Sequence, residues 1–303
     1  MSDTSAFNKQ STAEEVTDGL DLTGKTWLIT GCNSGLGYES ARVLASRGAR
    51  IVGAARTEAK AAAALKALGI DARPEGGEAV PVACELSDLD SVRAAVATIR
   101  GVGPLDGIMA NAGIMALPTL QQVHGYERQF FTNHMGHFVL VTGLMDQLTD
   151  DGRVVLLSSG AHFYAKRGME LDNLSGEDEY EPWRMYGRSK LANILFARGL
   201  TARFRASDRP ARTANAVHPG VIQTNLARHI VNPEAMFESL KPVMKTVPQG
   251  AATQCMVATR PELASVSGLY FSDCAEAETI PEGRDDAMAE ALWERSEAIA
   301  AAV

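Results

Sequence analysis

The sequence predicts a doubly wound α/β fold around a largely parallel seven-stranded sheet. Two patterns carry this expectation. Short apolar runs of strand length alternate with longer stretches of helical character, and the first run ends in a glycine cluster that opens a helix, the order on which doubly wound sheets are built. The chain has 303 residues, 46% hydrophobic and 22% charged. That is enough to bury one large core, although the length alone would also suit two domains.

Residues 1 to about 22 are polar and read as an arm or short helix lying over a domain of residues 23–303. Lys25 to Thr30 is the first strand. It ends in Gly31-Cys-Asn33-Ser34-Gly35-Leu36-Gly37, and a helical pattern follows through Arg47. A strand, a glycine turn and a helix in this order offer backbone N–H groups and a positive helix end to a diphosphate. The second strand, Arg50 to Ala55, ends in Arg56. An acidic residue here would suit the ribose 2′-hydroxyl of NAD(H), and an Arg accommodates the 2′-phosphate of NADP(H), so Arg56 favours NADP(H) over NAD(H). The third strand, Ala79 to Cys84, leads to Glu85 and Leu86, where an adenine would lie.

Asp88 caps a helix that runs to Arg100. Leu105 to Ala110 is the fourth strand, ending in Asn111-Ala112-Gly113, residues suited to a bend where backbone approaches a cofactor. Gly125 to Leu148 reads as one long helix. Asn133 within it is unfavourable unless its side chain has a task, such as holding water at a local kink relaxed by Gly136. His134 and His137 have no third ligand beside them, so they read as buried or cofactor-facing imidazoles and no metal is expected. The fifth strand starts at Arg153 and ends in Ser158-Ser159. After a polar insertion, Tyr186-Gly-Arg-Ser-Lys190 opens a long helix.

Tyr186 and Lys190 lie one turn apart on one helical face. A phenol has a pKa near ~10, and acid–base work at neutral pH needs a shift worth about 4 kcal/mol. An ammonium at ~4 Å in an effective dielectric of ~20 supplies roughly that. Thr213 to His218 is the sixth strand, with Pro219-Gly220-Val221 turning back towards Thr224. Residues 225–247, with Leu226, Ile230, Val231, Met236, Phe237, Leu240, Val243 and Met244, read as a lid over an adaptable apolar pocket. Another helix spans Gln249 to Thr259. Gly268 to Tyr270 is the seventh strand, and Asp285 to Ala302 the C-terminal helix.

Taken in order and spacing, Thr30 to Gly37, Asn111-Ala-Gly113, Asn133, Ser159, Tyr186-x-x-x-Lys190 and His218-Pro-Gly220 resemble the signature of the short-chain dehydrogenase/reductase family, over residues 22 to 300. Ser11 to Val16, Ser189 to Phe196 and Gly268 to Cys274 are similar to the branch that contains retinol dehydrogenases, WW-domain oxidoreductases and plant chloroplast-translocon-associated dehydrogenases. The 26 residues between Ser159 and Tyr186 also match that branch. The resemblance implies a Rossmann fold and an NADP(H)-dependent oxidoreductase interconverting a carbonyl and an alcohol on a hydrophobic small molecule.

In that scheme Tyr186 is the general acid/base, and Lys190 lowers its pKa and binds the ribose. Ser159 polarises the carbonyl, and Asn133 holds a water linked to Lys190. Thr224 lies beside the nicotinamide carboxamide or the diphosphate. Glu85 stands where the family usually has Asp. Pairing through the segments after Gly125 and Tyr186 would give a homodimer or homotetramer. An NADP(H)-binding redox sensor or scaffold with little turnover, or a sugar-nucleotide epimerase, are the alternatives on the same scaffold.

The net charge of −8, without any basic run, argues against a nucleic-acid partner. No run approaches the ~18 apolar residues of a membrane span, and the start has no secretory signal, so a cytoplasmic protein is expected. The four cysteines are far apart and form neither a zinc motif nor a disulfide framework.

Overall fold

The computed structural model describes residues 6–69, 79–230 and 232–303. Seven parallel strands form the sheet: β1 (Thr26–Thr30), β2 (Arg50–Ala55), β3 (Ala79–Ala83), β4 (Leu105–Ala110), β5 (Leu148–Leu157), β6 (Thr213–His218) and β7 (Tyr270–Ser272). The spatial order is 3-2-1-4-5-6-7, with every adjacent pair parallel. An eighth strand, β8 (Ala275–Glu276), adds antiparallel to β7 at the edge. It was not expected, because two residues carry no alternation to read. Pro81 sits in β3, at the opposite edge, where a residue without an N–H is tolerated. The order reverses between β1 and β4, the switch point at which such sheets open a crevice.

Helices cover both faces. On one side α1 (Ala13–Val16), α2 (Gly35–Ser46) and α8 (Val247–Thr259) bury Ala13, Val43, Leu44 and Met256 against β1 and β5. The expected arm is therefore in part a short helix, fixed by a reciprocal cap between Thr12 and Glu15. On the other side lie α4 (Leu89–Arg100), the bent helix α5 (residues 128–142), α6 (Pro182–Ala206) and α9 (Asp286–Ala302). Two further helices are α3 (Glu58–Ala67) and α7 (Pro233–Leu240), and no residue of α7 is buried. No helix among the described residues is long and apolar enough to cross a membrane.

The helix expected over Gly125–Leu148 is shorter and broken. Gln122–Val123 and Tyr126–Glu127 form a small hairpin, and α5 then runs through Arg128–Phe130, a π-helical turn Phe131–Met135 and Gly136–Thr142. The Glu127 carboxylate accepts the N–H groups of Gln129 and Phe130, which starts the helix there. Gly136 is required by packing. A Cβ there would stand 2.3 Å from the Leu86 carbonyl oxygen. Helix α6 starts one turn before Tyr186, at Pro182, with Glu181 as its cap. The fifth strand starts at Leu148 rather than Arg153, and the seventh at Tyr270 rather than Gly268.

Trp293 of α9 packs edge-on against Phe138 of α5 at 5.0 Å and lies 5.6 Å from Phe196 of α6, and the Arg203 guanidinium stacks 3.6 Å above its ring. The Nε2 of His134 and the hydroxyl of Ser296 are 2.9 Å apart beneath it. Helix α9 thus covers the face of α5 and α6 that carries Phe138 and Phe196.

Candidate active site

At the switch point a cleft of 480 Å³ opens beside the glycine turn. Gly37 lets the first turn of α2 sit against β1, since a Cβ there would lie 2.4 Å from the Gly31 carbonyl oxygen and 2.5 Å from Asn111 Nδ2. Ser34 stands at the N-cap of α2 but gives no side-chain cap, so the first-turn N–H groups remain available to a ligand. Thr30 ties the next wall in place. Its hydroxyl accepts the N–H of Asn111 and Ala112 at 2.9 and 3.0 Å. It therefore donates to His137 Nε2 at 2.9 Å, which leaves His137 Nδ1–H donating to the Asn133 carbonyl at 3.0 Å. Burial holds His137 neutral, pushed down to about 4. The free helix end, the glycine contacts and the cleft fit a dinucleotide carrying a diphosphate.

Most of the residues expected to bind a cofactor line this cleft: Gly31, Asn33, Ser34, Gly35, Leu36, Arg56, Glu85, Leu86, Asn111, Ala112, Gly113 and Thr224. Glu85 accepts from the Ser87 N–H and hydroxyl through one oxygen, at 3.1 and 2.8 Å. Pro219, Gly220 and Val221 are not in its wall. Val221 pairs with Met244, and the Lys245 side chain lies over Gly220 while its ammonium bonds Asp273 at 2.5 Å.

Ser159, Tyr186, Lys190 and Asn133 meet just beyond Leu157, Gly113 and Ile114 of the cleft wall. Tyr186 and Lys190 are both buried, on successive turns of α6. The Lys190 ammonium donates to the Leu157 carbonyl at 3.0 Å and lies 5.6 Å from the centre of the Tyr186 ring. Ser158 is occupied elsewhere, since its hydroxyl donates to the Lys190 carbonyl at 2.8 Å. That leaves Ser159, whose hydroxyl accepts the Ala161 N–H at 3.1 Å, as the serine facing the Tyr186 phenol. Asn133 spends its amide on Ile114, accepting its N–H at 2.8 Å and donating to its carbonyl at 2.9 Å, and also donates to the Ser189 hydroxyl at 2.9 Å. It pins the turn that carries Gly113 beside Lys190.

The electrostatics depart from the expectation that Lys190 acidifies Tyr186. Burial pushes the phenol up, opposed only by the Ser159 hydrogen bond. Burial likewise pushes the Lys190 ammonium down to about 8. Desolvation dominates at both groups, and the ammonium spends its hydrogen bond on the Leu157 carbonyl. At neutral pH the arrangement holds a protonated phenol beside a serine hydroxyl, a pair able to donate to one oxygen.

Several residues of the cleft had no signal in the sequence. Ser87, Arg128, Arg228 and His229 all line it. Arg228 and His229 fall within residues 225–247, where the apolar side chains drew attention, and Val231 of that segment lies outside the described residues.

A family model described as short chain dehydrogenase matches residues 25–171. The chloroplastic short-chain dehydrogenase TIC 32 B of Brassica napus is 38% identical, over 96% of this chain and 93% of that protein. Retinol dehydrogenase 14 of Homo sapiens is also 38% identical, over 90% of this chain and 85% of its own. Among solved structures, a blue fluorescent protein from a metagenomic library, in complex with NADPH, superposes with a TM-score of 0.66 at 26% identity, covering 83% of this chain and 97% of that one.

Proposed function

The chain belongs to the short-chain dehydrogenase family, and from that premise we propose that it is an NADP(H)-dependent oxidoreductase interconverting a ketone or aldehyde and its alcohol on a hydrophobic small molecule. One observation carries the reading: Ser159, Tyr186 and Lys190 converge at the end of the glycine-lined cleft. Bound there, the nicotinamide supplies or accepts the hydride. Tyr186 gives its proton to the carbonyl oxygen as reduction proceeds. Ser159 donates to the same oxygen and stabilises the charge that develops on it. Lys190 binds the ribose, and Asn133 fixes the turn beside it and links Lys190 to solvent. Arg56, at the end of β2 where NAD(H) sites carry an acid, faces the 2′-phosphate.

Apolar surface beside the site supports a hydrophobic substrate. Phe163 and Tyr164 are 50% and 54% exposed, and Trp183 stands edge-on to Tyr186 at 6.2 Å. We assign residues 225–247 to a substrate lid on a domain of residues 23–303. A homodimer or homotetramer would have to form away from Phe138 and Phe196, which α9 covers, and light scattering at micromolar concentration reads this directly.

The test is the oxidation of NADPH, with NADH in parallel, against ketones, aldehydes, quinones and aromatic carbonyls. Tyr186→Phe is expected to abolish turnover and leave NADPH binding nearly unchanged. Full turnover by that variant would sink the mechanism.

A further inference from the structure

We propose that Arg228 is a second grip on the 2′-phosphate of the cofactor, closing on it from the lid while Arg56 holds it from the sheet. The inference rests on the NADP(H) reading above and adds to it the residue that couples the lid to the cofactor.

Three guanidinium groups line the one cleft, each from a different element: Arg56 after β2, Arg128 at the start of α5, and Arg228 in the 3-10 turn Asn225–His229. That turn begins at the glycine loop. A Cβ at Gly35 would stand 3.4 Å from the Thr224 side chain, and Thr224 caps the turn through the Leu226 N–H. Arg228 therefore projects from above the phosphate end of the cleft. Arg228 donates through Nη1 to the Asn225 carbonyl at 2.9 Å and Arg128 through Nη1 to Gln121 at 2.6 Å, which leaves most of each fork unused. Neither forms an ion pair with a carboxylate among the described residues. Glu85, the acid in the same cleft, spends an oxygen on Ser87.

The crowding of like charge is felt there. Partial desolvation of its guanidinium, then Arg56, then Arg128 hold Arg228 below the usual arginine range, although the residue as a whole is exposed. His229 is pushed down by burial, then by Arg228 and by Arg128. Three guanidinium groups gathered from three elements against the single carboxylate of Glu85 leave the cleft positive and complementary to a multiply charged anion. The diphosphate is already provided for by the glycine turn and the open end of α2. The remaining phosphate of NADP(H) is the 2′ group. Arg56, the larger of the two arginine influences on Arg228, is the residue at its expected position.

The experiment measures dissociation constants of NADPH and NADH for the wild-type protein, Arg228→Ala, Arg228→Lys and Arg56→Ala. Arg228 is exposed, so its loss leaves the fold intact. Loss of a bidentate contact to a dianion is expected to weaken NADPH about tenfold or more while NADH changes less than about twofold. Lys should restore part of the affinity. Equal losses for the two cofactors would assign Arg228 to the diphosphate, and no loss would remove it from the site. Either result overturns this inference while leaving the NADP(H) reading standing. A wild-type protein without preference for NADPH would instead defeat that reading, before any variant is made.

Discussion

Replacing Lys190 by Met is expected to make the protein more stable at neutral pH, although it removes a residue at the centre of the site. Burial lowers the Lys190 pKa from 10.5 to about 8. At 1.36 kcal/mol per pH unit, keeping that ammonium charged in the folded state costs about 3 kcal/mol at pH 7. The variant loses one hydrogen bond, to the Leu157 carbonyl, worth about 1 kcal/mol. That carbonyl is not orphaned, because Asn193 Nδ2 also donates to it at 2.9 Å. The net expectation is a gain of about 2 kcal/mol for the variant.

The pH dependence gives the sharper test. Between about 8 and 10.5 the native lysine has lost its proton while the unfolded one keeps it, so this group makes the wild-type protein relatively more stable as pH rises. The advantage of the variant should therefore shrink through that window. Cys32, Cys84 and Cys255, each pushed up to about 12 by burial, act in the opposite sense, because the unfolded thiols ionise first. They lower the stability of both proteins alike and cancel in the difference. Urea unfolding followed by tryptophan fluorescence, from neutral to alkaline pH, measures it. A variant less stable than wild type at neutral pH, or a difference that does not move with pH, would refute the reasoning.

The two adjacent serines should separate cleanly. Ser159→Ala is expected to lower kcat by about a hundredfold and, through loss of its cap on the Ala161 N–H, to cost about 1 kcal/mol of stability. Ser158→Ala, which removes the hydroxyl bonded to the Lys190 carbonyl, should cost about 1–2 kcal/mol of stability and much less activity, as kinetics and thermal melts on the pair will read. Trp293→Ala should destabilise by about 3–5 kcal/mol, since it empties the space over the paired rings of Phe138 and Phe196. A shift in the urea midpoint worth under about 1 kcal/mol would mean that α9 is not part of the core.

The strands and the glycine turn were legible because their signals are local: an apolar run of five or six residues, a cluster of glycines, a helix behind it. Tyr186 and Lys190 were legible for the same reason, as their spacing alone places them on one face. What was not legible depends on distant partners. The π-helical turn at Phe131–Met135 coincides with Gly136 resting against Leu86, a contact across fifty residues. The direction of the Tyr186 shift depends on how deeply α6 is buried, which α9 and the insertion before Tyr186 decide. The Arg128–Arg228 convergence joins elements a hundred residues apart, and an isolated arginine in a lid segment looks like ordinary surface. The resemblance pointed to Ser159 over Ser158, and the bond from the Ser158 hydroxyl to the Lys190 carbonyl supplies the physical reason.

The C-terminal helix also sets a schedule for synthesis. Leu292, Trp293 and Ile299 complete the cluster that shields Phe138 and Phe196, elements made about a hundred or more residues earlier. While the chain is still being extended on the ribosome, those aromatic rings lie open on an otherwise formed sheet. A stop codon before residue 292 would leave that surface permanently uncovered. Such a fragment would carry every residue assigned to the active site and still be a substrate for chaperones and proteases.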